Sequence, residues 1–314
     1  MNRALKIVLK IICTLVSFAL VFLSAQSIFI PKFADGGTVI MNDYNRLDKN
    51  SVDVLFMGSS QCFRFVNAKQ LTDEFGISSF VYGASHLFVS ITPYYLEEAL
   101  KTQTPKLIMF EVGRMFVSNA DIQEKDIAWI YGCMQPSTAK YKSLCSTFDG
   151  DQLKALMYTY FPLFAYHDRW ESITAEDMVL SINPDKYAGV SLNGYIPRTT
   201  TQAVTIDYFD GSPITEKPIP KENIEAIRQI VKRCRELNIK LVFFKTPVPS
   251  WTRSEAESIK RFMEENSLEY FDMYDVYDEI GLDPERDFHD DAHVNTSGAE
   301  KVTKCLAGYL KESM

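Results

Sequence analysis

The sequence lacks several features that would place it in a specialised class of protein. It has no CxxC pair, no internal repeat and no run of glycine and serine that would separate two independent domains. Structural zinc and repeat architectures are therefore not indicated. Of its 314 residues, 46% are hydrophobic and 24% are charged, a composition that excludes a disordered, collagen-like or low-complexity chain.

Positive charge is also scarce. The formal net charge is −8. General binding of nucleic acid needs clustered Lys and Arg, so the sequence indicates no nucleic-acid partner. The first ten residues are the exception, because they contain Arg3, Lys6 and Lys10 and no acidic residue. This basic tip and the acidic remainder of the chain belong to different physical environments.

An uncharged apolar run follows the basic tip. Residues 11–30 contain no charged side chain, and Pro31 comes next. A helix of this length spans about 30 Å, the thickness of the hydrocarbon core of a bilayer. We expect residues 1–31 to form an uncleaved membrane anchor, because the apolar region of a signal peptide is shorter and Ser24-Ala25-Gln26 is a poor cleavage site. Positive charges before the span place the N-terminus in the cytoplasm and residues 32–314 outside the cell membrane.

The cysteines allow two interpretations. Five cysteines lie outside the apolar run, and they are Cys62, Cys133, Cys145, Cys234 and Cys305. A disulfide between Cys133 and Cys145 is compatible with an oxidising compartment, and buried free thiols are the alternative.

Beyond the anchor, apolar runs of strand length alternate with helical patterns. This alternation predicts an α/β fold in which helices connect the strands of one parallel sheet. The predicted strands are residues 52–57, 79–82, 106–111, 240–244 and about 270–273. The predicted helices are residues 222–238, 254–266 and 296–312, with Thr296 as the N-cap of the last. Residues 116–220 interrupt the alternation and are predicted to be an insertion with helical fragments at 152–160 and 175–182.

Residues with catalytic chemistry lie where strands end. In an open parallel sheet, reactive groups gather at the carboxyl ends of the strands. Gly58-Ser59-Ser60 follows the first predicted strand, Gly83 follows the second, and Asp290-Asp291-Ala292-His293 precedes the last helix. A nucleophilic serine needs a base, and a histidine base needs a carboxylate to orient it. Ser60, His293 and Asp290 are the candidates for these roles, and Asp291 is expected to face solvent.

Other interpretations of the polar residues stay open. Ser60 alone also suits a helix N-cap. Metal ions bind to side chains of the types found at His289, Asp290, Asp291 and His293, but the sequence indicates no further ligand from elsewhere in the chain. We therefore predict no metal and no cofactor. His86 is either a surface residue or part of a cleft. His167, Arg169 and Trp170 suit either substrate binding or a structural ion pair with aromatic packing.

These motifs resemble those of the SGNH (GDSL-like) hydrolase superfamily. The similarity is to its membrane-anchored extracytoplasmic branch, which is related to proteins that help acylate cell-wall polysaccharides and exopolysaccharides. Gly58-Ser59-Ser60 resembles the first block, Gly-Asp-Ser, with Ser in place of Asp. Gly83 matches the glycine of the second block, Asp290 and His293 match the Asp-x-x-His of the fifth, and Gly298 fits the glycine that often follows. The resemblance implies a flavodoxin-like, three-layer α/β/α fold with a five-stranded parallel sheet.

The third block departs from the family pattern. The family has Gly-x-Asn-Asp there, and its Asn donates a hydrogen bond to the oxyanion. This chain has Glu111-Val112-Gly113-Arg114 instead. The resemblance leaves the backbone amides of Ser60 and Gly83 as oxyanion donors, with Arg114 as a candidate third donor.

The resemblance implies a serine esterase or O-acyltransferase that acts on acyl groups, such as acetyl, of an extracellular or cell-envelope glycan. The alternative is an accessory protein with weak or no activity that binds a glycan or a membrane-bound O-acyltransferase. The presence of Ser60, Asp290 and His293 favours the enzyme, whereas the altered third block favours the accessory protein. The expected partners are the polysaccharide, such an acyltransferase, and the membrane through the N-terminal helix.

Overall fold

The chain divides into two compact units. The computed structural model of the protein describes residues 3–30, 37–183 and 189–313. One unit, here the anchor unit, has residues 3–30 and 135–183 as its described part. The other, here the sheet unit, has residues 37–134 and 189–313.

Five parallel strands form the centre of the sheet unit. They are β1 (Val54–Gly58), β2 (Ser79–Gly83), β3 (Leu107–Glu111), β4 (Lys240–Lys245) and β5 (Tyr270–Asp272). Their order is β2-β1-β3-β4-β5, and every neighbouring pair is parallel. β1, β2 and β3 are buried along their whole length, which explains why they are continuous apolar runs. The predicted α/β fold with five parallel strands is confirmed.

Helices surround this sheet and also build the anchor unit. In chain order they are α1 (Arg3–Phe29), α2 (Gly37–Tyr44), α3 (Ser60–Phe65), α4 (Ala68–Phe75), α5 (Thr92–Ala99), α6 (Glu124–Tyr131), α7 (Thr138–Thr147), α8 (Gln152–Tyr160), α9 (Pro162–Tyr166), α10 (Ala175–Ile182), α11 (Lys221–Glu236), α12 (Arg253–Glu265), α13 (Tyr277–Ile280) and α14 (Thr296–Ser313). α11 buries Ile227, Ile230 and Cys234, as its apolar spacing predicts. Leu237 falls within the predicted helix 222–238 but lies beyond the observed helix end and is 36% exposed.

A short hairpin precedes the last helix. It consists of β6 (Phe288–Asp290) and β7 (His293–Val294), which are antiparallel. The prediction that Thr296 caps α14 is wrong by one residue. Asn295 accepts the N–H of Gly298 with its side-chain oxygen at 3.2 Å, whereas the Thr296 hydroxyl donates to the carbonyl of Arg198 at 3.0 Å. Both residue types cap helices well, so the sequence alone does not separate them.

The anchor unit contains α1 and α7 to α10. α1 has 27 residues and is long and apolar enough to cross a membrane, and its most apolar window contains no buried residue. The predicted helical fragments at 152–160 and 175–182 are confirmed as α8 and α10. The described residues of the predicted insertion, 116–183 and 189–220, add no strand to the five-stranded sheet.

All six cysteines lie in the described ranges and are free thiols. The Cys133–Cys145 disulfide is therefore not formed, and Cys62, Cys133 and Cys234 are buried. Burial raises the pKa of Cys234 to about 12, so this thiol behaves as an apolar side chain.

Candidate active site

The candidate site begins at the carboxyl ends of β1 and β2. Gly58 ends β1 and pairs with Gly83, the last residue of β2. Their backbones lie so close that a Cβ atom on Gly83 would overlap the Gly58 carbonyl oxygen. α3 follows β1 and begins at Ser60, which is 9% exposed. The serine and the glycine that the sequence singles out therefore lie at the same edge of the sheet.

Ser60, His293 and Asp290 form a continuous chain of contacts. Ser60 Oγ lies 2.8 Å from His293 Nε2. On the other side of the ring, His293 Nδ1 lies 3.0 Å from Asp290 Oδ1 and 3.1 Å from Oδ2. With its Nδ1–H donated to the carboxylate, a neutral imidazole presents Nε2 as the acceptor for the serine hydroxyl. This is the order of contacts that allows a histidine to activate a serine.

The hairpin fixes the acid and the base relative to each other. Asp290 and His293 pair across its turn, and the N–H of Ala292 donates to Asp290 Oδ1 at 2.9 Å. Partial burial raises the pKa of Asp290, but the charge of His293 and the Ala292 N–H lower it by more, so it lies below its ordinary value. Asp290 is therefore ionised at neutral pH. Asp291, in the same turn, is exposed as expected.

A buried aspartate beside the hairpin was not predicted from the sequence. The side chain of Asp287 is 2% exposed, and Lys301 Nζ lies 2.6 Å from its Oδ2. The Ser297 hydroxyl and the Asp283 N–H also donate to Asp287, each at 2.7 Å. Ser297 and Lys301 belong to α14, so these contacts hold the base of the hairpin against that helix. No local motif marks this cluster, because its members are spread over nearly twenty positions of a loop and a helix.

A buried ion pair connects β3 and β4 to the turn that carries Ser60. Lys245 Nζ lies 2.9 Å from Glu111 Oε1, and the two side chains are 0% and 1% exposed. The same ammonium donates to Gln61 Oε1 at 3.0 Å, and Gln61 directly follows Ser60. Sequence analysis missed Lys245, because a lysine at a strand end usually extends its ammonium into solvent.

Glu111 also holds the turn that follows β3. The N–H of Gly113 donates to Glu111 Oε2 at 2.9 Å, and a Cβ atom on Gly113 would overlap Gln61 Oε1. Arg114 packs its guanidinium over the ring of Phe88 at 4.5 Å. Burial lowers the pKa of Arg114, and its buried Nε has no hydrogen-bond partner among the described residues. This turn therefore places the half-buried guanidinium of Arg114 directly after Gly113, which contacts Gln61.

His86 follows β2 at the same edge of the sheet. Its Nδ1 lies 2.8 Å from Asp126 Oδ1, and its ring meets Trp129 edge to face with centroids 4.7 Å apart. Its φ of 55° is in the left-handed region, which is uncommon for a residue other than glycine. Burial and the charge of Arg114 lower its pKa. His86 therefore lies at this edge of the sheet with 39% of its side chain exposed.

The remaining predicted binding residues belong to the anchor unit. Arg169 donates to the carbonyl of Phe29 at 2.6 Å and pairs with Asp177 at 3.1 Å. It therefore has the structural role that was one of its two interpretations. Trp170 is 67% exposed and His167 is 64% exposed.

The alternative metal interpretation is not favoured by the geometry. In residues 3–30, 37–183 and 189–313, no group of three or more His, Cys, Asp and Glu side chains is arranged to hold a metal ion. His289 Nδ1 contacts the Thr200 hydroxyl, and its Nε2 lies 3.7 Å from Asp290 Oδ2. Its ring therefore borders the carboxylate of Asp290.

A comparison of the chain with protein-family models gives no match, and a comparison with curated proteins gives none either.

Proposed function

We propose that the protein is a serine esterase or O-acyltransferase that acts on acyl groups of a cell-envelope glycan. One observation carries the proposal: Ser60 Oγ lies 2.8 Å from His293 Nε2, and His293 Nδ1 lies 3.0 Å from Asp290. A serine, a histidine and a carboxylate in this sequence of contacts have the geometry of an activated nucleophile.

In the proposed first step, Ser60 Oγ attacks the acyl carbonyl carbon while its proton passes to His293 Nε2. Asp290 stabilises the imidazolium that forms. The tetrahedral intermediate then collapses, and the leaving oxygen takes the proton from His293. In the second step, His293 accepts a proton from water or a sugar hydroxyl, whose oxygen attacks the carbonyl carbon of the acyl-enzyme. As this second tetrahedral intermediate collapses, the bond to Ser60 Oγ breaks and Ser60 takes the proton back from His293. These steps use only groups of the protein, the acyl substrate and the acceptor, so the proposal includes no cofactor.

The negative charge on the carbonyl oxygen needs donors during both steps. The proposed donors are the backbone amides of Ser60 and Gly83, which lie at the adjoining ends of β1 and β2. Arg114 is the proposed third donor, because its turn occupies the place of the family's asparagine and its guanidinium is half-buried. A cation in a partly desolvated position interacts more strongly with a developing oxyanion than it would in water.

The proposed family is the SGNH hydrolase superfamily, with its flavodoxin-like, three-layer arrangement. The motif residues support this assignment together with the strand order β2-β1-β3-β4-β5, which is the order of flavodoxin-like folds. Membership gives the glycan as the class of substrate and a membrane-bound O-acyltransferase as a candidate partner.

The proposed setting is the outer side of the cell membrane. α1 is apolar enough to cross a bilayer, and the cations before it favour a cytoplasmic N-terminus. Protease added to intact spheroplasts is expected to digest residues 32–314. Protection of these residues would contradict the orientation and the extracellular substrate.

Turnover of p-nitrophenyl acetate by the full-length protein in detergent tests the activity. Ser60→Ala is expected to reduce the rate to background. Ser59→Ala removes the hydroxyl of the preceding serine. It is the matched control, since the Ser59 side chain makes no capping hydrogen bond to α3. Equal activity of the parent and Ser60→Ala would contradict the enzyme and favour an accessory protein.

A further inference from the structure

The anchor unit exposes a concentration of large apolar side chains. Outside α1, ten such side chains are exposed in the described parts of the chain, and six of them lie within residues 135–183. These six, here the apolar surface, are 40–70% exposed and consist of Leu153, Leu156, Tyr160, Trp170, Met178 and Val179. Large apolar side chains exposed in this number within one compact unit favour contact with another protein or with a membrane.

The helix α8 has its large apolar residues on the outside. It buries Ala155 and Thr159 and exposes Leu153, Leu156 and Tyr160. The exposed three are spaced i, i+3 and i+7, so they share one face of the helix. A helix on the surface of a water-soluble domain has the opposite arrangement, with its large apolar side chains directed inward. α8 therefore presents a face that suits an apolar environment.

The neighbouring segments show the same preference. α10 buries the charged Asp177, which pairs with Arg169 at 3.1 Å, while Met178 and Val179 are 51% and 40% exposed. Trp170 is 67% exposed. Trp and Tyr are the residues that concentrate where lipid head groups meet acyl chains, because their rings are apolar and carry one polar group.

These segments pack along the last turns of α1. The rings of Phe22 and Phe161 lie 6.2 Å apart, and Arg169 donates to the carbonyl of Phe29 at 2.6 Å. From Phe22 to Phe29 an α-helix rises about 10 Å. Both residues lie in the uncharged run 11–30, which has the length of the hydrocarbon core. In a membrane that α1 spans, the anchor unit therefore meets α1 within the depth of one leaflet.

We propose that the apolar surface enters the leaflet at the C-terminal end of α1, with Trp170 at the boundary between head groups and acyl chains. The occupant of this surface is phospholipid, because the surface belongs to the same compact unit as the spanning helix and that helix holds it at the membrane. The anchor unit is then a membrane-embedded unit of one spanning helix and several interfacial ones. This inference does not depend on the proposed catalytic activity.

Depth-dependent quenching of Trp170 fluorescence tests the proposal. The full-length protein is reconstituted in phosphatidylcholine vesicles, and the emission of the Trp170→Phe variant is subtracted from that of the parent, which has three Trp. Lipids brominated near the head groups are expected to remove most of the Trp170 signal, and lipids brominated near the chain ends are expected to remove less. Iodide, present on both sides of the membrane, is expected to remove little.

A charged variant provides the matched comparison. Leu156→Asp is expected to weaken quenching of Trp170 by the shallow bromolipid, because a carboxylate on the apolar surface opposes insertion. Lys154→Asp places a carboxylate at an exposed position on a different face of the same helix and is expected to leave the quenching unchanged. Strong quenching by iodide with none by bromolipid would overturn the proposal. Protection from both quenchers would also overturn it, since protein would then cover the surface instead of lipid.

Discussion

Lys245 and Glu111 form an ion pair that is closed to solvent, with Nζ and Oε1 2.9 Å apart. The pair is connected to the proposed nucleophile through one contact, the hydrogen bond from Lys245 to Gln61 at 3.0 Å. Two charges in the interior stabilise a protein less than their attraction suggests, because both lose their hydration. Glu111 and Lys245 end β3 and β4, and Lys245 also contacts the turn after β1. The pair therefore points to a role in holding these three turns in place.

The first prediction separates this role from general stability. Gln61→Leu removes the contact to Lys245 without leaving a new unpaired charge, so we expect a melting temperature close to that of the parent. The rate of reaction with p-nitrophenyl acetate is expected to fall about tenfold, equivalent to about 1.4 kcal/mol of transition-state stabilisation, because the Ser60 turn is no longer held in place. Both quantities are measured on the full-length protein in detergent.

Two further variants serve as controls for this prediction. Gln61→Glu keeps an acceptor oxygen for Lys245 and is expected to recover part of the rate. Glu111→Gln leaves the Lys245 ammonium buried without its counter-charge and is expected to cost about 3–5 kcal/mol of stability. A Gln61→Leu variant with the full rate would show that the pair does not position the Ser60 turn.

The two adjacent aspartates should differ sharply in their effect on activity. Asp290→Asn preserves the shape of the hairpin but favours the wrong tautomer of His293, a change that costs about 10⁴-fold in rate in serine proteases. Asp291→Asn alters an exposed side chain and should change kcat by less than about threefold. Steady-state kinetics of both variants check this, and a larger loss for Asp291→Asn would mean that the acid is wrongly assigned.

Asp287 predicts a dependence of stability on pH. Burial raises its pKa, but Lys301, the Asp283 N–H and Ser297 lower it by more, so the folded value lies below the ordinary one. A depressed carboxyl pKa adds stability above the unfolded value of about 3.9, and this is lost as the pH falls through the folded value.

Asp287→Asn should therefore lower stability by about 2 kcal/mol near neutral pH, and the difference from the parent should shrink below about pH 4. Urea unfolding across this pH range measures it. An undiminished difference in acid would show that the effect comes from packing rather than from the charge.

The proposed role of Arg114 as an oxyanion donor predicts how much this side chain contributes to the rate. Arg114→Gln should lower kcat by about 10²-fold with little change in KM, because an oxyanion donor acts in the transition state. Arg114→Lys keeps the charge and should lose less. Loss of affinity with an unchanged kcat would instead make Arg114 a substrate-binding residue.

The sequence predicts the sheet and the triad because both have local signals. β1 to β3 are short apolar runs that end at glycine or at a polar residue, and parallel topology brings strand ends to one edge. The short Asp-x-x-His spacing of Asp290 and His293 also fits within a single turn. Each of these signals lies within a few residues of the chain, although Ser60 and His293, 233 positions apart, meet only in the folded protein.

The residues that sequence analysis missed depend on distant contacts. Glu111 and Lys245 are 134 positions apart, and although each ends an apolar run, nothing in the sequence indicates that the two side chains pair. The same limit applies to the anchor unit, since no periodicity connects residues 135–183 to α1. Only the three-dimensional arrangement identifies Arg169 as a partner of Phe29 rather than of a substrate.

The proposed role of Ser60 is tested most directly by mapping the adduct of a fluorophosphonate probe on the full-length protein by mass spectrometry. An activated serine reacts with such a probe, whereas an ordinary serine hydroxyl does not. We expect one adduct, on Ser60, that is retained in Ser59→Ala and abolished in both Ser60→Ala and His293→Ala. An unlabelled parent protein, or a label that persists in Ser60→Ala, would contradict this role.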